Sequence, residues 1–179
     1  NLITVLGASG TGKSSLVNKA EKELEVSQLI NTTTRNPRKE EIEGKDYYFV
    51  SNKEFEQLDK FEYIPNYSGN QYCLSQKEIN QKYFNSDSKC SIVILNKAGI
   101  EQIINILGRK KVTVIYVYAP ICDIRQRLIK RDGKEKAEEK IDHAYKKGEF
   151  ENHNLADYVI MNRNKKFNKA YKKLKNIIN

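Results

Sequence analysis

The residues with the clearest chemical pattern lie near the start of the chain. Gly7-Ala8-Ser9-Gly10-Thr11-Gly12-Lys13-Ser14 has the spacing G-x-x-x-x-G-K-[ST], between a short apolar run and a helical pattern. Glycines there let successive backbone N–H groups surround phosphate oxygens. The Lys13 ammonium would reach the β- and γ-phosphates, and the Ser14 hydroxyl would hold Mg²⁺. The pattern predicts a nucleoside triphosphate site formed by Gly7, Ala8, Ser9, Gly10, Thr11, Gly12, Lys13, Ser14 and Ser15.

A second basic cluster follows the first helical pattern. Arg35 and Arg38 are three residues apart and flank Pro37, and Tyr47 follows in the run Gly44 to Val50. Two guanidinium groups in a stiffened loop can bind one phosphate through paired N–H donors, and a tyrosine hydroxyl can add another. By itself, the same cluster is more typical of a basic surface loop.

A third set of cations lies in the last third of the chain. Arg127 and Arg131 are four residues apart in a predicted helix, so they share a face. Phosphoryl transfer depends on charge neutralisation and positioning more than on covalent chemistry. Beside a bound triphosphate these arginines would serve that purpose, and the alternative is a solvated helix face.

The elements that must position these residues alternate between strand and helix. Apolar runs at Leu2 to Leu6, Ser91 to Asn96 and Val112 to Tyr118 have the character of buried strands, and helical patterns separate them. We therefore expect an α/β fold with about five parallel strands flanked by helices. The segment 34–84 breaks the rhythm and is predicted to be an acceptor-binding lobe on a core of residues 1–33 and 85–179, with a short lid at about 132–136.

The composition of the chain limits the classes of ligand and the cellular compartments that we expect. The 179 residues fit a single domain, and the net charge of +9 is spread along helices without a nucleic-acid-binding signature, so we expect small polyanions as ligands and no nucleic acid. Three scattered cysteines and two distant histidines indicate reduced thiols and no metal cluster. Without a secretory signal or a long apolar run, the chain is predicted to be cytoplasmic and free of membranes.

Taken together, these motifs resemble the guanylate kinase family of P-loop nucleoside monophosphate kinases. The resemblance extends over nearly the whole chain, because further family segments occur in order. They are Ser68-Gly69-Asn70-Gln71-Tyr72, Arg127-Leu128-Ile129-Lys130-Arg131 and Asp157-Tyr158-Val159-Ile160-Met161-Asn162.

The resemblance implies ATP- and Mg²⁺-dependent phosphorylation of GMP or dGMP. It implies that Glu62 reads guanine, that Asn162 lies near the ATP adenine, and that Lys140 corresponds to a lid arginine if this lid is about two residues shorter. The implied catalytic residues are Lys13, Arg35, Arg127, Arg131 and Lys140. The implied acceptor-binding residues are Asn31, Arg35, Arg38, Tyr47, Glu62, Tyr72, Leu74 and Asn96.

Several positions depart from the family pattern. Asn31 and Leu74 stand where hydroxyl residues near guanine O6 are expected, and Asn96 and Ile94 replace carboxylates. A lost donor to a buried carbonyl costs about 1–3 kcal/mol, although the amide of Asn31 could replace one. Two alternatives therefore stay open: a related kinase with another phosphorylated acceptor, such as ribose 1,5-bisphosphate or a modified nucleotide, and a non-catalytic guanylate-kinase-like binding module. The oligomeric state is not indicated by the sequence.

Overall fold

The structure, a computed structural model, describes every residue except Ser68, and it describes residues 65–67 through their backbone alone. The strands are β1 (Leu2–Leu6), β2 (Val26–Gln28), β3 (Thr32–Thr33), β4 (Tyr48–Phe49), β5 (Lys60–Tyr67), β6 (Asn70–Ser75), β7 (Cys90–Ile94), β8 (Val112–Tyr118) and β9 (Tyr158–Met161). The helices are α1 (Lys13–Glu23), α2 (Asn52–Glu56), α3 (Gln76–Ile79), α4 (Lys97–Leu107), α5 (Ile121–Asp132), α6 (Lys134–Lys146) and α7 (Phe167–Ile178).

The main sheet has five strands in the order β2-β7-β1-β8-β9. In register, Val26 pairs with Cys90 and Ile115 pairs with Tyr158, and both pairings are parallel. All five residues of β1 are buried, as expected for a strand covered by helices on both faces. The predicted α/β fold with a five-stranded parallel core is confirmed.

By backbone contacts the chain divides into two compact units. One consists of residues 1–3 and 25–112 and contains a second sheet in the order β4-β3-β6-β5. Its inner strand β3 pairs parallel with β4 and antiparallel with the other inner strand, β6. Strands β5 and β6 form an antiparallel pair in which Glu62 lies opposite Leu74.

The other unit consists of residues 4–24 and 113–179. Helices α5 and α6 follow each other with Gly133 alone between them, and Gly133 has a φ of 86°. The two helices bury an apolar cluster formed by Ala119, Ile124, Leu128, Ala137 and Ile141. The segment 132–136, predicted as a lid, is this helix junction, and its role as a lid stays a prediction.

Some elements differ from the sequence-based expectations. The predicted helix from Ser75 to Phe84 is one α-helical turn, α3, followed by a wider π-type turn at Asn80–Phe84. Its cap is Ser75, whose hydroxyl accepts from the Glu78 N–H. The predicted segment Ser68 to Tyr72 begins outside the described residues, because Ser68 is not described; residues 70–72 belong to β6.

None of the helices in the described part of the chain combines the length and the apolar character needed to cross a bilayer.

Candidate active site

The glycine-rich segment forms a closed loop between β1 and α1. Gly12, immediately before the helix, has a φ of 90°, a left-handed conformation that strains other residues. The Thr11 hydroxyl donates to the Ala8 carbonyl at 2.9 Å and fastens the loop from within. Strand, loop and helix therefore follow one another as the phosphate-binding motif requires.

The Lys13 side chain lies within this loop. Its ammonium donates to the carbonyls of Gly7 and Ala8, the latter at 2.9 Å. Burial lowers the pKa of Lys13 to about 8; nearby Glu149 raises it, and Arg131 lowers it further. Phosphate oxygens would be stronger acceptors for this ammonium than the two neutral carbonyls.

Residues distant in sequence hold the loop in place. The buried Asn162 amide donates to the Thr11 carbonyl at 2.8 Å, and a Cβ on Gly12 would overlap that amide. Arg127 donates to the carbonyls of Gly10 at 3.1 Å and Thr11 at 3.2 Å, and to the Asn162 carbonyl at 2.7 Å. In this arrangement Arg127 and Asn162 support the loop backbone. Their predicted contacts with the phosphoryl group and with adenine stay predictions.

Arg131 and Lys140 share one carboxylate. Asp132 accepts from Arg131 Nε at 3.0 Å and Nη2 at 2.8 Å, and from Lys140 Nζ at 2.7 Å. Burial raises the pKa of Asp132, but the hydrogen bonds and charges of the two cations outweigh that effect and lower it to about 2. Arg131 also donates to the Ser9 hydroxyl at 3.1 Å, so it reaches the phosphate loop.

The loop after β3 gathers two of the predicted acceptor residues around Glu41. Nη2 of Arg35 lies 2.9 Å from both carboxylate oxygens of Glu41, and Nη1 of Arg38 lies 3.3 Å from Oε1. The backbone N–H of Arg38 also donates to this carboxylate, at 2.8 Å. One carboxylate therefore orders both guanidinium groups.

Two tyrosines complete this cluster. The Arg35 guanidinium lies over the Tyr47 ring, 5.3 Å from its centroid, and Tyr72 meets Tyr47 edge-on with centroids 6.0 Å apart. Burial raises the pKa of Tyr47, so its hydroxyl keeps its proton at neutral pH. The cluster combines guanidinium and hydroxyl donors, which suits a phosphate monoester.

Glu62 is a buried carboxylate on β5. Its Oε2 accepts the Leu74 N–H at 3.2 Å, whereas its Oε1 is among the buried side-chain atoms of the described residues that have no hydrogen-bond partner. Burial raises the pKa of Glu62 to about 7, although the hydrogen bond from Leu74 opposes the shift. Buried polar atoms are normally paired, so Oε1 is a candidate ligand contact.

The amide side chains in this unit have other partners. Asn31 Nδ2 donates to the Ile94 carbonyl at 2.8 Å, which leaves Oδ1 as a second buried atom without a partner among the described residues. Asn96 Oδ1 accepts the Gly99 N–H at 2.9 Å and caps α4. Leu74 is fully buried. Because one N–H of Asn31 is already used, only the other remains as the predicted replacement donor.

The predicted residues thus form two groups. The phosphate loop, Arg127, Arg131, Lys140 and Asn162 belong to one compact unit, and all the predicted acceptor residues belong to the other. Sequence reasoning missed Glu41, Asp132 and Gly99, where a Cβ would stand 2.5 Å from Glu62 Oε1. The signals for the two acids were their spacings, three residues after Arg38 and one after Arg131.

No group of three or more histidine, cysteine or acidic side chains arranged to hold a metal ion occurs among the described residues.

Comparisons with known proteins identify the family of this chain. The sequence model described as guanylate kinase matches residues 1–179. A guanylate kinase from Wigglesworthia glossinidia brevipalpis is 35% identical over 95% of this chain and 83% of its own length. One from Chlamydia pneumoniae is 31% identical over 98% of this chain and 85% of its own length. The crystal structure of guanylate kinase from Anaplasma phagocytophilum has a TM-score of 0.68 at 25% identity, over 99% of this chain and 82% of that one.

Proposed function

Because this chain belongs to the guanylate kinase family, we propose that it transfers the γ-phosphoryl group of ATP to GMP or dGMP. An oxygen of the acceptor phosphate attacks the γ-phosphorus, the bond from that phosphorus to the β,γ-bridging oxygen breaks, and ADP leaves as GDP or dGDP forms. The observation that carries the choice of acceptor is the buried Glu62 carboxylate, with one oxygen bound by Leu74 N–H and the other without a partner among the described residues.

Glu62 suits guanine by its donor and acceptor pattern. Guanine presents two adjacent donors, N1–H and N2–H, which a carboxylate accepts together, whereas adenine presents no such pair. A buried carboxylate with an unmade hydrogen bond gains most from a ligand that supplies it. A sugar phosphate lacks this planar pair of N–H donors, although its vicinal hydroxyl groups can also donate to a carboxylate.

The acceptor phosphate is proposed to bind Arg35, Arg38, Tyr47 and Tyr72. Arg35 stacks on Tyr47 and has its guanidinium ordered by Glu41, so the donors are arranged before the ligand arrives. Asn31, Leu74 and Asn96 would line the base pocket.

On the donor side, the loop from Gly7 to Ser15 would bind the triphosphate and Lys13 would contact the β- and γ-phosphates. Arg131 and Lys140, held by Asp132, would add positive charge as negative charge moves toward the bridging oxygen. Arg127 and Asn162 would keep the loop closed around the nucleotide.

Mg²⁺ fits the residues present. Ser14 is exposed at the start of α1 and offers a hydroxyl oxygen, a ligand type that Mg²⁺ accepts while keeping phosphate and water ligands. When bound with ATP, the ion would neutralise charge on the phosphate oxygens. The side chain of Ile94 supplies no oxygen, so Ser14 is the protein ligand that we propose.

We also propose the domain layout inferred from the sequence: a core of residues 1–33 and 85–179, an acceptor lobe at 34–84 and a lid near 132–136. Closure on both substrates would exclude water, which otherwise accepts the phosphoryl group.

A second acceptor class is favoured by one observation. Leu74 is apolar and buried, and one N–H of Asn31 is committed to the Ile94 carbonyl. The pocket therefore holds few donors for guanine O6. A kinase for a sugar phosphate such as ribose 1,5-bisphosphate would not need such donors.

The test is ADP release from ATP and Mg²⁺ with GMP, dGMP, IMP, AMP, UMP and ribose 1,5-bisphosphate. Preference for GMP and dGMP supports the proposal, and IMP should be poor because it lacks the 2-amino donor. Turnover on the sugar phosphate alone would mean that the same residues phosphorylate that acceptor instead of GMP. Bound ATP with no turnover on any acceptor would favour a binding module.

A further inference from the structure

We propose that Glu41 is the positioning residue of the acceptor-phosphate clamp: its carboxylate sets the guanidinium groups of Arg35 and Arg38 in the orientation that binds the phosphate. This inference rests on the proposed function, because it takes those two arginines as the phosphate-binding residues. Glu41 itself would not touch the substrate.

The carboxylate of Glu41 contacts the guanidinium groups of both arginines. Arg35 and Glu41 are both largely buried, with side chains 16% and 14% exposed, and Nη2 of Arg35 lies 2.9 Å from each carboxylate oxygen. Nη1 of Arg38 reaches the same carboxylate at 3.3 Å. Arginine side chains carry large rotamer entropy, so an ion pair that holds two of them removes much of the ordering cost of binding.

Glu41 is in turn fixed by the backbone of its own loop. Its N–H donates to the Arg38 carbonyl at 3.1 Å, and its carboxylate accepts the Arg38 N–H at 2.8 Å. These reciprocal bonds make the carboxylate part of the turn that begins at Arg38. A carboxylate anchored in this way is a support for the guanidinium groups, whereas a mobile side chain would be a competitor that the phosphate has to displace.

Donor capacity remains after Glu41 is satisfied. Arg35 Nη1 donates to the Asn36 carbonyl at 2.7 Å and Nη2 faces Glu41, but a guanidinium has five N–H groups. Although burial lowers the pKa of Arg35, the hydrogen bond and charge of Glu41 raise it, so Arg35 stays charged. Two arginines and one carboxylate leave a net positive charge for the incoming dianion.

The test distinguishes the contribution of the phosphate to binding from the contribution of the base. Calorimetry measures the dissociation constants of GMP and of guanosine, which lacks the phosphate, for the whole chain and for Glu41→Gln. We expect guanosine binding to stay within about twofold while GMP binding weakens by at least about tenfold, because only the phosphate uses the clamp. The matched control is Glu40→Gln, the same change at an exposed neighbour, which should alter neither constant.

Each of the other outcomes rejects either the positioning role of Glu41 or the phosphate clamp of the proposed function. Tighter GMP binding in Glu41→Gln would make Glu41 a competitor, and equal weakening of GMP and guanosine would make it a structural residue; either result rejects the positioning role, as does no change. If the unaltered chain binds guanosine as tightly as GMP, the phosphate clamp in the proposed function fails instead.

A second variant tests the proposal if Glu41→Gln does not fold. Glu41→Asp keeps the charge but shortens the side chain by one methylene, and thermal unfolding checks that it is folded. It should lose GMP affinity selectively, to a smaller extent than Glu41→Gln. An unchanged ratio of the GMP and guanosine constants in a folded Glu41→Asp protein would also reject the proposal.

Discussion

The carboxylate of Glu62 packs directly against the backbone of Gly99. A Cβ placed on Gly99 would stand 2.5 Å from Glu62 Oε1, closer than two such atoms approach in proteins. Gly99 lies in the first turn of α4, where its N–H is capped by Asn96, so the glycine is required by space and not by an unusual backbone angle. The helix thereby presents its N-terminal turn to a buried acid.

Gly99→Ala should therefore impair recognition of the base. The added methyl group would displace the Glu62 carboxylate, and we expect the KM for GMP to rise by about tenfold, the loss of roughly one good hydrogen bond to a charged group. The KM for ATP should not change. Steady-state kinetics with each substrate varied in turn measure both constants.

The control for that change is Ala98→Ser, at the exposed neighbouring position of the same turn. It should leave both constants unchanged. Equal KM values for GMP in Gly99→Ala and the unaltered chain would mean that Glu62 tolerates displacement and does not read the base from this position.

Lys13→Ala should remove nearly all phosphoryl transfer, by about a thousandfold or more in kcat, because it removes a charge placed on the transferred group. The fold should persist, because the hydrogen bonds of the ammonium to the described residues go to carbonyls of its own loop. Lys19→Ala, on the same helix but paired with Glu23 at the surface, is the control and should retain activity. Turnover retained in Lys13→Ala would reject the loop mechanism.

The titration of Lys13 predicts the alkaline limb of the pH profile. Burial lowers its pKa to about 8, and bound polyphosphate must raise that value because it adds negative charge. ATP therefore binds the protonated form better, and the KM for ATP should climb by up to about tenfold per pH unit above 8. Lys19→Ala should show the same limb.

The ionisation of Glu62 predicts the acid limb of the pH profile. Burial raises its pKa to about 7, and guanine binds the ionised carboxylate, so the KM for GMP should rise as pH falls below 7 and level off above it. Glu62→Gln cannot ionise, so its kcat/KM for GMP should be at least about tenfold lower and should lose the limb near pH 7, keeping only the limb of the GMP phosphate, whose second pKa is about 6. A variant that keeps the limb near pH 7 would assign that limb to another group.

Asp132→Asn should destabilise the protein in a pH-dependent way. The pKa of Asp132 is depressed from 3.8 to about 2, so its ionised form stabilises the fold above about pH 4 and that contribution disappears as pH falls through 2. Allowing for solvent screening of Arg131 and Lys140, we expect about 1 kcal/mol at pH 7. Thermal unfolding of the two proteins should converge in acid, and a difference that persists at pH 2 would reject the ion-pair explanation.

The main sheet was predictable because its buried strands are continuous apolar runs. Ile92 to Leu95 and Val112 to Tyr118 can be read directly from the sequence; the first run lies in β7 up to Ile94, and the second is β8. Strand β2, Val26–Gln28, was missed since three residues carry too little pattern. In the second sheet, β5 alternates polar and apolar residues only from Lys60 to Tyr63 before Ile64 and Pro65 interrupt the pattern, and its burial runs against the polarity, since Glu62 is buried and Tyr63 is exposed.

The candidate site was predictable where a motif carries its own spacing. The phosphate loop and its Lys13 are examples, because eight consecutive residues define them. Glu41 and Asp132 were not predictable as supports, because their partners are fixed only when a turn or helix junction folds. Gly99 could not be recognised either, since its importance comes from a carboxylate 37 residues earlier in the chain.

The contacts of Asn162 also have a consequence for synthesis of the protein. The loop at residues 7–15 is translated well before residue 162, yet its Thr11 carbonyl is held by an amide 151 residues later, just after β9. Arg127 reaches the same loop and the same asparagine. A nascent chain that has not yet left the ribosome beyond residue 162 lacks this support, so the loop gains its full set of contacts only after residue 162 has emerged.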